Sequence, residues 1–402
     1  MKNKFLLFFL FSFLITSSLQ AQLENTRGLY VNNFKNVIGN PTAEEELLNF
    51  ALENGFNYLL LYNLHYIQTN LFDITDSKSS HPLANFIFKA KTQYGINEVG
   101  GVGEKLASFD KMEKYNETYQ NQLNYQIDVF HLEFEFWNSK LVDTYYCSTY
   151  LMANGFPCTK AGAFDFYFNE LSKLDDLTSN LGLKSETYVG NPTNSECQSI
   201  GSIVDRAVVH YYRRSDVYKN GNSIYNFKKY RLEQMAPEEG VLNILPVFSS
   251  RSYHMGPWLL EHPMEQAFDT WLYGQNGFME DEGDWKNHIN IEGFQWYRYT
   301  DLKNYMEESN FNFTENTAQA RSEEREIVLA KQKTKTIISP NPAREVLNLT
   351  ISENEEFQIF DTMGRLVLEK KSSGTEVLNV KNWQRGIYFL KVEDEVRKIV
   401  LQ

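Results

Sequence analysis

The chain has 402 residues and a formal net charge of −13, long enough for one large domain plus a small one. A charge of that sign excludes general attraction to nucleic acid or to acidic lipid surfaces. Aromatic residues reach 15%, a content that suits either a bulky core or flat surfaces that cover sugar rings.

In chain order, Met1-Lys-Asn-Lys gives a basic start, and an apolar run over 5–15 follows that is too short to span a bilayer. Thr16-Ser-Ser-Leu-Gln-Ala21 then supplies small and polar residues, so a secretory signal peptide over 1–21 with cleavage after Ala21 is expected. No later stretch reaches membrane-spanning length, and no transmembrane segment is expected.

From residue 22 to 309, extended and helical signals alternate. Strands are expected at 28–34, 58–64, 96–100, 129–137, 184–189, 207–212, 243–249 and 289–297. Between the first two, Asn40-Pro-Thr42-Ala-Glu-Glu45 reads as a capping box of Thr42 and Glu45. A stripe of Leu47, Leu48, Ala51 and Leu52 and a stop at Asn54-Gly55 complete that helix. Helical spacing recurs over 164–181, 223–235 and 263–273, and a more polar crossover runs over 105–126. Eight such alternations predict an α/β fold, a (β/α)8 TIM barrel.

Residues 310–335 turn polar and charged and read as a linker, with 318–333 equally compatible with an exposed helix. From 336 to 402 short alternating runs such as Val346-Leu-Asn-Leu and Ile387-Tyr-Phe-Leu predict a small all-β sandwich. The three cysteines, Cys147, Cys158 and Cys197, form no disulfide framework and no zinc spacing. Cys147 and Cys158 flank a short loop and are able to pair, which leaves Cys197 odd.

The run Asp128-Val-Phe-His131-Leu-Glu133-Phe-Glu135-Phe-Trp137 carries the chemistry. On an extended strand Phe130, Leu132, Phe134 and Phe136 share one face, and His131, Glu133 and Glu135 the other. Three titratable groups in a row inside a parallel sheet are costly to desolvate unless paired or used, which marks a candidate site. Glu133 and Glu135 lie about 7 Å apart at Cα, close enough for one carboxyl to raise the other's pKa.

The tail resembles the C-terminal sorting domain of the bacterial type IX secretion system. The matching residues are Ile338-Ser-Pro-Asn-Pro342, Ile359-Phe-Asp-Thr-Met-Gly-Arg365, Gly386-Ile-Tyr-Phe-Leu-Lys391 and Lys398-Ile-Val-Leu401. The resemblance implies that the secretion machinery is a partner and that the protein is secreted or displayed on the cell surface.

The fourth strand resembles the glycoside hydrolase family 18 signature, Asp-x-x-Asp-x-Asp-x-Glu, here in the form Asp128-x-x-His131-x-Glu133-x-Glu135 with both middle acids changed. Softer agreement comes from Glu98-Val-Gly-Gly101, Tyr211-Tyr212 and Gly293-Phe-Gln-Trp296. The resemblance implies a retaining, substrate-assisted hydrolysis of a glycan containing N-acetylglucosamine, with no protein nucleophile. Glu135 is then the general acid, Glu133 orients the acetamido group, and Tyr212 hydrogen-bonds the developing oxazolinium. Asp128, His131, Tyr211, Trp296, Trp137 and Arg251 complete the expected substrate site.

No cofactor or metal is expected; Glu280-Asp-Glu-Gly-Asp284 lacks calcium-loop spacing. Three alternatives stay open. One is a glycan-binding barrel without turnover, and another is a two-carboxylate glycosidase drawing on Glu186 or Glu292. In the third, the acids form an inert ion network with Arg213 or Arg251.

Overall fold

The computed structural model describes residues 25–309 and, in the tail, 337–339, 343–344, 346–351, 356–361, 365–372, 375–392 and 395–401. The expected signal peptide and linker lie outside the described residues.

Eight parallel strands close on themselves: β1 Thr26–Val31, β2 Tyr58–Leu61, β3 Glu98–Gly103, β4 Val129–Leu132, β5 Lys184–Val189, β6 Arg206–His210, β7 Leu242–Ser249 and β8 Gly293–Tyr297. Each pairs with the next, and β8 returns to β1. The expected TIM barrel is the fold. Strands such as Tyr58-Leu-Leu-Leu61 are buried along their whole length, because helices cover the outer face while side chains fill the interior.

The period of two sorts every strand. Leu29, Val31, Leu59, Leu61, Phe130, Leu132, Val209, Phe248 and Trp296 point outward into the layer shared with the helices. Tyr30, Tyr58, Leu60, Val129, Tyr188, Val208, Leu245 and Val247 point inward. Gly100 of β3 leaves room for this filling, since a Cβ there would come within 2.5 Å of the Tyr58 hydroxyl.

Most strand bounds shift by a few residues, and two changes alter the architecture near the site. β4 ends at Leu132, not Trp137, because its neighbour β3 ends at Gly103; the last ladder bond runs from the Glu133 amide to the Gly103 carbonyl at 2.9 Å. Residues beyond it still alternate. Phe134 stacks on Tyr146 at 3.9 Å between ring centres, and Phe136 packs on Tyr167 at 4.8 Å, which turns Glu133, Glu135 and Trp137 inward. The stretch expected as one strand over 289–297 is two, Ile289–Ile291 and Gly293–Tyr297. Gly293 resets the chain between them at φ 149°, where a Cβ would meet the Thr26 carbonyl oxygen at 2.0 Å.

The first helix, Pro41–Glu53, is capped by Asn40, whose side chain accepts from the Ala43 amide; Thr42 does not serve as cap. Proline is suited to the first helical position, where an amide N–H would have no partner, and this places the cap one residue earlier. The other crossovers include helices Leu106–Thr118, Lys160–Leu181, Lys229–Met235 and Met264–Tyr273. A wound segment, Val142–Leu151, lies beyond β4 and is tied down by the disulfide Cys147–Cys158. Cys197 is buried and free.

The tail forms two antiparallel sheets. Ile337–Ser339, Val346–Thr350 and Thr375–Asn379 make one; Leu366–Lys371, Glu356–Asp361, Gly386–Val392 and Glu395–Leu401 make the other. Leu347, Leu349, Phe357, Ile359 and Leu390 from both sheets share one core, as a small sandwich requires. Among the described residues no helix is long and apolar enough to cross a membrane.

Candidate active site

The barrel interior is polar at two levels. At the N-terminal end, Arg206 is fully buried and donates through Nε to Glu186 and through Nη1 to Glu98 (2.8 Å) and Glu292 (2.9 Å). Its guanidinium also lies 4.8 Å from the centre of the Tyr58 ring. Glu186 is equally buried and accepts from the Tyr58 hydroxyl (2.8 Å) as well as from His131 Nδ1 (2.7 Å). Burial alone would raise the Glu186 carboxyl, but Arg206 and His131 together hold it down at about 2. An ionised carboxylate only accepts, so His131 Nδ1 carries the proton of that bond and its Nε2 faces the Tyr30 hydroxyl at 3.4 Å.

This floor answers one open alternative. An ion network does fill the barrel, but its cation is Arg206, and it engages Glu186 and Glu292, the acids a two-carboxylate mechanism would have borrowed. Neither is available to a sugar. Arg213 and Arg251, the expected partners of such a network, are elsewhere: Arg213 lies over Phe227 at 3.4 Å from the ring centre, and Arg251 over Tyr253 at 4.6 Å.

Above the floor, at the C-terminal mouth where barrel loops converge, stand Glu133 and Glu135. Glu133 Oε2 accepts from the Tyr62 hydroxyl and lies 3.9 Å from His131 Nε2. About a quarter of its side chain, 24%, reaches solvent. Burial of the remainder lifts the carboxyl to about 7; His131 and Tyr62 oppose the rise, and Glu135 and Glu104 add to it. Glu135 is half-buried. Its backbone amide donates to the Tyr146 hydroxyl (3.0 Å), and Asn138 Nδ2 donates to its Oε2 at 3.0 Å. Among the described residues, no guanidinium or ammonium group pairs with Glu135.

Around the two acids runs an aromatic wall. Tyr30 packs against Tyr62 (5.7 Å between ring centres) and Tyr297 (5.5 Å); Tyr297 stacks on Tyr212 (5.8 Å). Tyr188 approaches Tyr212 (6.3 Å) and Trp137 (5.7 Å). Trp137 lies flat on the backbone after β5, where a Cβ at Gly190 would sit 2.3 Å from its ring. His210 stacks on Tyr212 at 4.3 Å and shares a 2.8 Å hydrogen bond with the Tyr188 hydroxyl. Burial, reinforced by Arg231 and Lys228, depresses His210 to about 2, so it stays neutral.

The mouth therefore gathers Glu133, Glu135, Trp137 and Tyr212 of the expected residues. His131 sits directly beneath, sealed from solvent. Four others are placed differently. Asp128 is at the opposite end of β4, bonded to Lys91 (2.7 Å) and to the Val99 amide (2.7 Å), where it ties strand to helix. Tyr211 and Trp296 point outward into the helix layer, Tyr211 against Trp271 and Trp296 against Phe248. Both precede an inward residue, Tyr212 or Tyr297, so the period of two excludes them from the mouth. Arg251 lines a side cleft of about 260 Å³ with Arg298, Asp301 and Tyr305. Tyr30, Tyr62, Tyr188, His210 and Tyr297 belong to the site without having been expected. Phasing each strand from its own outward residues would have found them.

Glu133 also gives a pH signature. The folded chain holds its proton up to about pH 7, whereas the unfolded chain releases it near 4.3. Its contribution to stability is therefore full below about pH 4.3 and is lost as pH rises through 7. Glu133→Gln, which cannot ionise, is expected to stabilise the protein by about 2 kcal/mol at pH 8 and by little at pH 5. Thermal melts of both proteins at the two pH values check this; equal melting shifts at both would remove the titration from the account.

The secretion system C-terminal sorting domain family matches residues 337–402, so the protein is exported through type IX secretion to the cell surface or the medium. No curated protein matches the chain. Among solved structures it is similar to a calcium-binding mutant of Bacteroides uniformis beta-glucuronidase 2 at 13% identity and TM-score 0.37, covering 94% of this chain and 45% of that one. The chain thus spans under half of that protein's length. A chitinase from Chromobacterium violaceum gives 10% identity and TM-score 0.33 over 71% and 98% of the two chains. A D-psicose 3-epimerase gives 13% and 0.33 over 76% and 99%. Likeness at this level extends to barrels of different chemistry, so activity rests on the residues of the site.

Proposed function

We propose that the protein is an exported glycoside hydrolase acting on a glycan that contains N-acetylglucosamine, by a retaining, substrate-assisted route. The observation that carries the reading is the pair Glu133 and Glu135. They are consecutive inward acids just past the mouth end of the fourth strand, reached by solvent, hydrogen-bonded by Tyr62 and Asn138, and without an arginine or lysine partner among the described residues. The aromatic wall around them suits the faces of sugar rings.

Before substrate binds, Glu133 holds its proton up to about pH 7. A bound acetamido group needs an acceptor for its N–H, and this favours the ionised form of Glu133. The proton then belongs to Glu135, which delivers it to the leaving glycosidic oxygen while the substrate's own carbonyl oxygen attacks the anomeric carbon. Ionised Glu133 stabilises the positive charge that grows on the acetamido nitrogen. The Tyr212 hydroxyl, following β6, bonds the oxazolinium oxygen.

One observation favours a second reading, binding without turnover. The position of the first middle acid is His131, held against Glu186 and sealed from solvent, so it cannot swing between partners as an aspartate would. A screen of the recombinant protein against chitin oligosaccharides and high-mannose N-glycans separates the two. Released reducing ends support hydrolysis; binding with no product moves the assignment to a lectin-like barrel.

A further inference from the structure

The net charge is −13, yet one sector of the mouth is cationic and lacks counter-charge. Arg231, on the helix Lys229–Met235, is fully buried. Its guanidinium donates only to neutral oxygens, the His210 carbonyl (3.2 Å) and Asn191 Oδ1 (2.5 Å), and its Nε has no partner. Lys228 Nζ donates to the same Asn191 oxygen at 2.9 Å, which sets two cations side by side. A third, Arg213, shares the Phe227 ring with Lys228, at 3.4 and 4.6 Å from its centre, and its buried Nε is also without a partner. Among the described residues none of the three is in an ion pair. The nearby acids are engaged elsewhere: Glu196 closes the capping box at Thr193, and Glu233 pairs with Lys229.

A buried guanidinium without a carboxylate is costly, and three neighbouring cations add mutual repulsion. The repulsion is visible in Lys228, whose ammonium is brought down to about 8 by burial and by Arg231 and Arg213. An anion seated beside the half-buried Lys228 and Arg213 would relieve both costs, with the buried Arg231 charge behind them. Arg213 directly follows Tyr212, and Arg231 grips the backbone of His210, so the cluster borders the aromatic wall on the β5–β6 side.

We propose that Lys228, Arg231 and Arg213, with Asn191, form an anion subsite that takes an oxyanion substituent, sulfate, phosphate or carboxylate, carried by the glycan bound in the mouth. This rests on the mouth being a glycan site and names the class of glycan: an acidic one. Guanidinium and ammonium together give charge and forked hydrogen bonds to such a group.

The test uses the mature full-length protein, its Lys228→Ala and Arg213→Ala variants, and three probes: inorganic sulfate, a sulfated oligosaccharide and its neutral counterpart. Sulfate is expected to raise the melting temperature by about 2 °C or more over chloride at equal ionic strength, and each variant to lose most of that rise. The sulfated oligosaccharide is expected to bind about tenfold more tightly than the neutral one, with the preference lost in both variants and neutral binding unchanged. No sulfate effect and no preference for the acidic sugar would overturn the subsite while leaving the glycan reading standing. A sulfate effect abolished by both variants, with neither oligosaccharide bound, would support the anion site and overturn its assignment to a glycan substituent. Arg231 is left intact throughout, because a buried arginine is a poor candidate for a soluble variant.

Discussion

Arg206→Met is expected to lower the unfolding free energy by about 3–5 kcal/mol at pH 7. The side chain is fully buried and anchors three carboxylates, Glu186, Glu98 and Glu292. Without it Glu98 keeps Lys184, but Glu186 retains only hydrogen bonds from Tyr58 and His131 at a site with no solvent. Burial then dominates its titration and pushes the carboxyl upward. Acidification should therefore rescue the variant in part, since protonating Glu186 removes the uncompensated charge. The opposite holds for the native protein, whose depressed Glu186 supplies stability above the ordinary carboxyl range and loses it as pH falls toward 2. Urea unfolding of both proteins at pH 5 and 7 reads the difference directly. A variant within about 1 kcal/mol of the native chain at pH 7 would show that the floor network is not a principal support of the barrel.

Glu135→Gln is expected to reduce turnover about 10³-fold while changing glycan affinity by less than about threefold, because an amide keeps the shape and loses the transferable proton. Glu133→Gln should cost less, about 10²-fold, and alter the pH profile. With Glu133 ionisable, the alkaline limb should lie near pH 7, where Glu133 gives up its proton; with glutamine in its place that limb should move. Steady-state rates across pH 4–9 (roughly the range spanning these titrations) distinguish the outcomes. Equal rate losses with unshifted profiles would place both residues in binding and remove proton transfer from the mechanism.

Much of this was legible in the residues themselves. Alternation from Phe130 to Phe136 placed His131, Glu133 and Glu135 on one face, and the barrel keeps them there even though the ladder ends at Leu132. The periodicity held past the strand because Phe134 and Phe136 remained committed to the helix layer. The tail's alternating runs likewise matched its described sheets. Tyr211 and Trp296 stand at motif positions yet face the helix layer, because facing depends on where each strand enters and leaves the barrel; Asp128 lies at the end of β4 away from the mouth.

The amino-acid sequence by itself determined the barrel, the export tail and the inward acid pair just beyond β4, because these follow from local periodicity and from motifs within a few residues. Only the tertiary structure decided which acids are free. Glu186 and Glu292 are consumed by Arg206 across 20 and 86 residues of chain, while among the described residues Glu133 and Glu135 pair with no arginine or lysine, and Lys228, Arg231 and Arg213 pair with no acid. Charge pairing in a closed barrel is set by which strands face one another, and no local pattern encodes that.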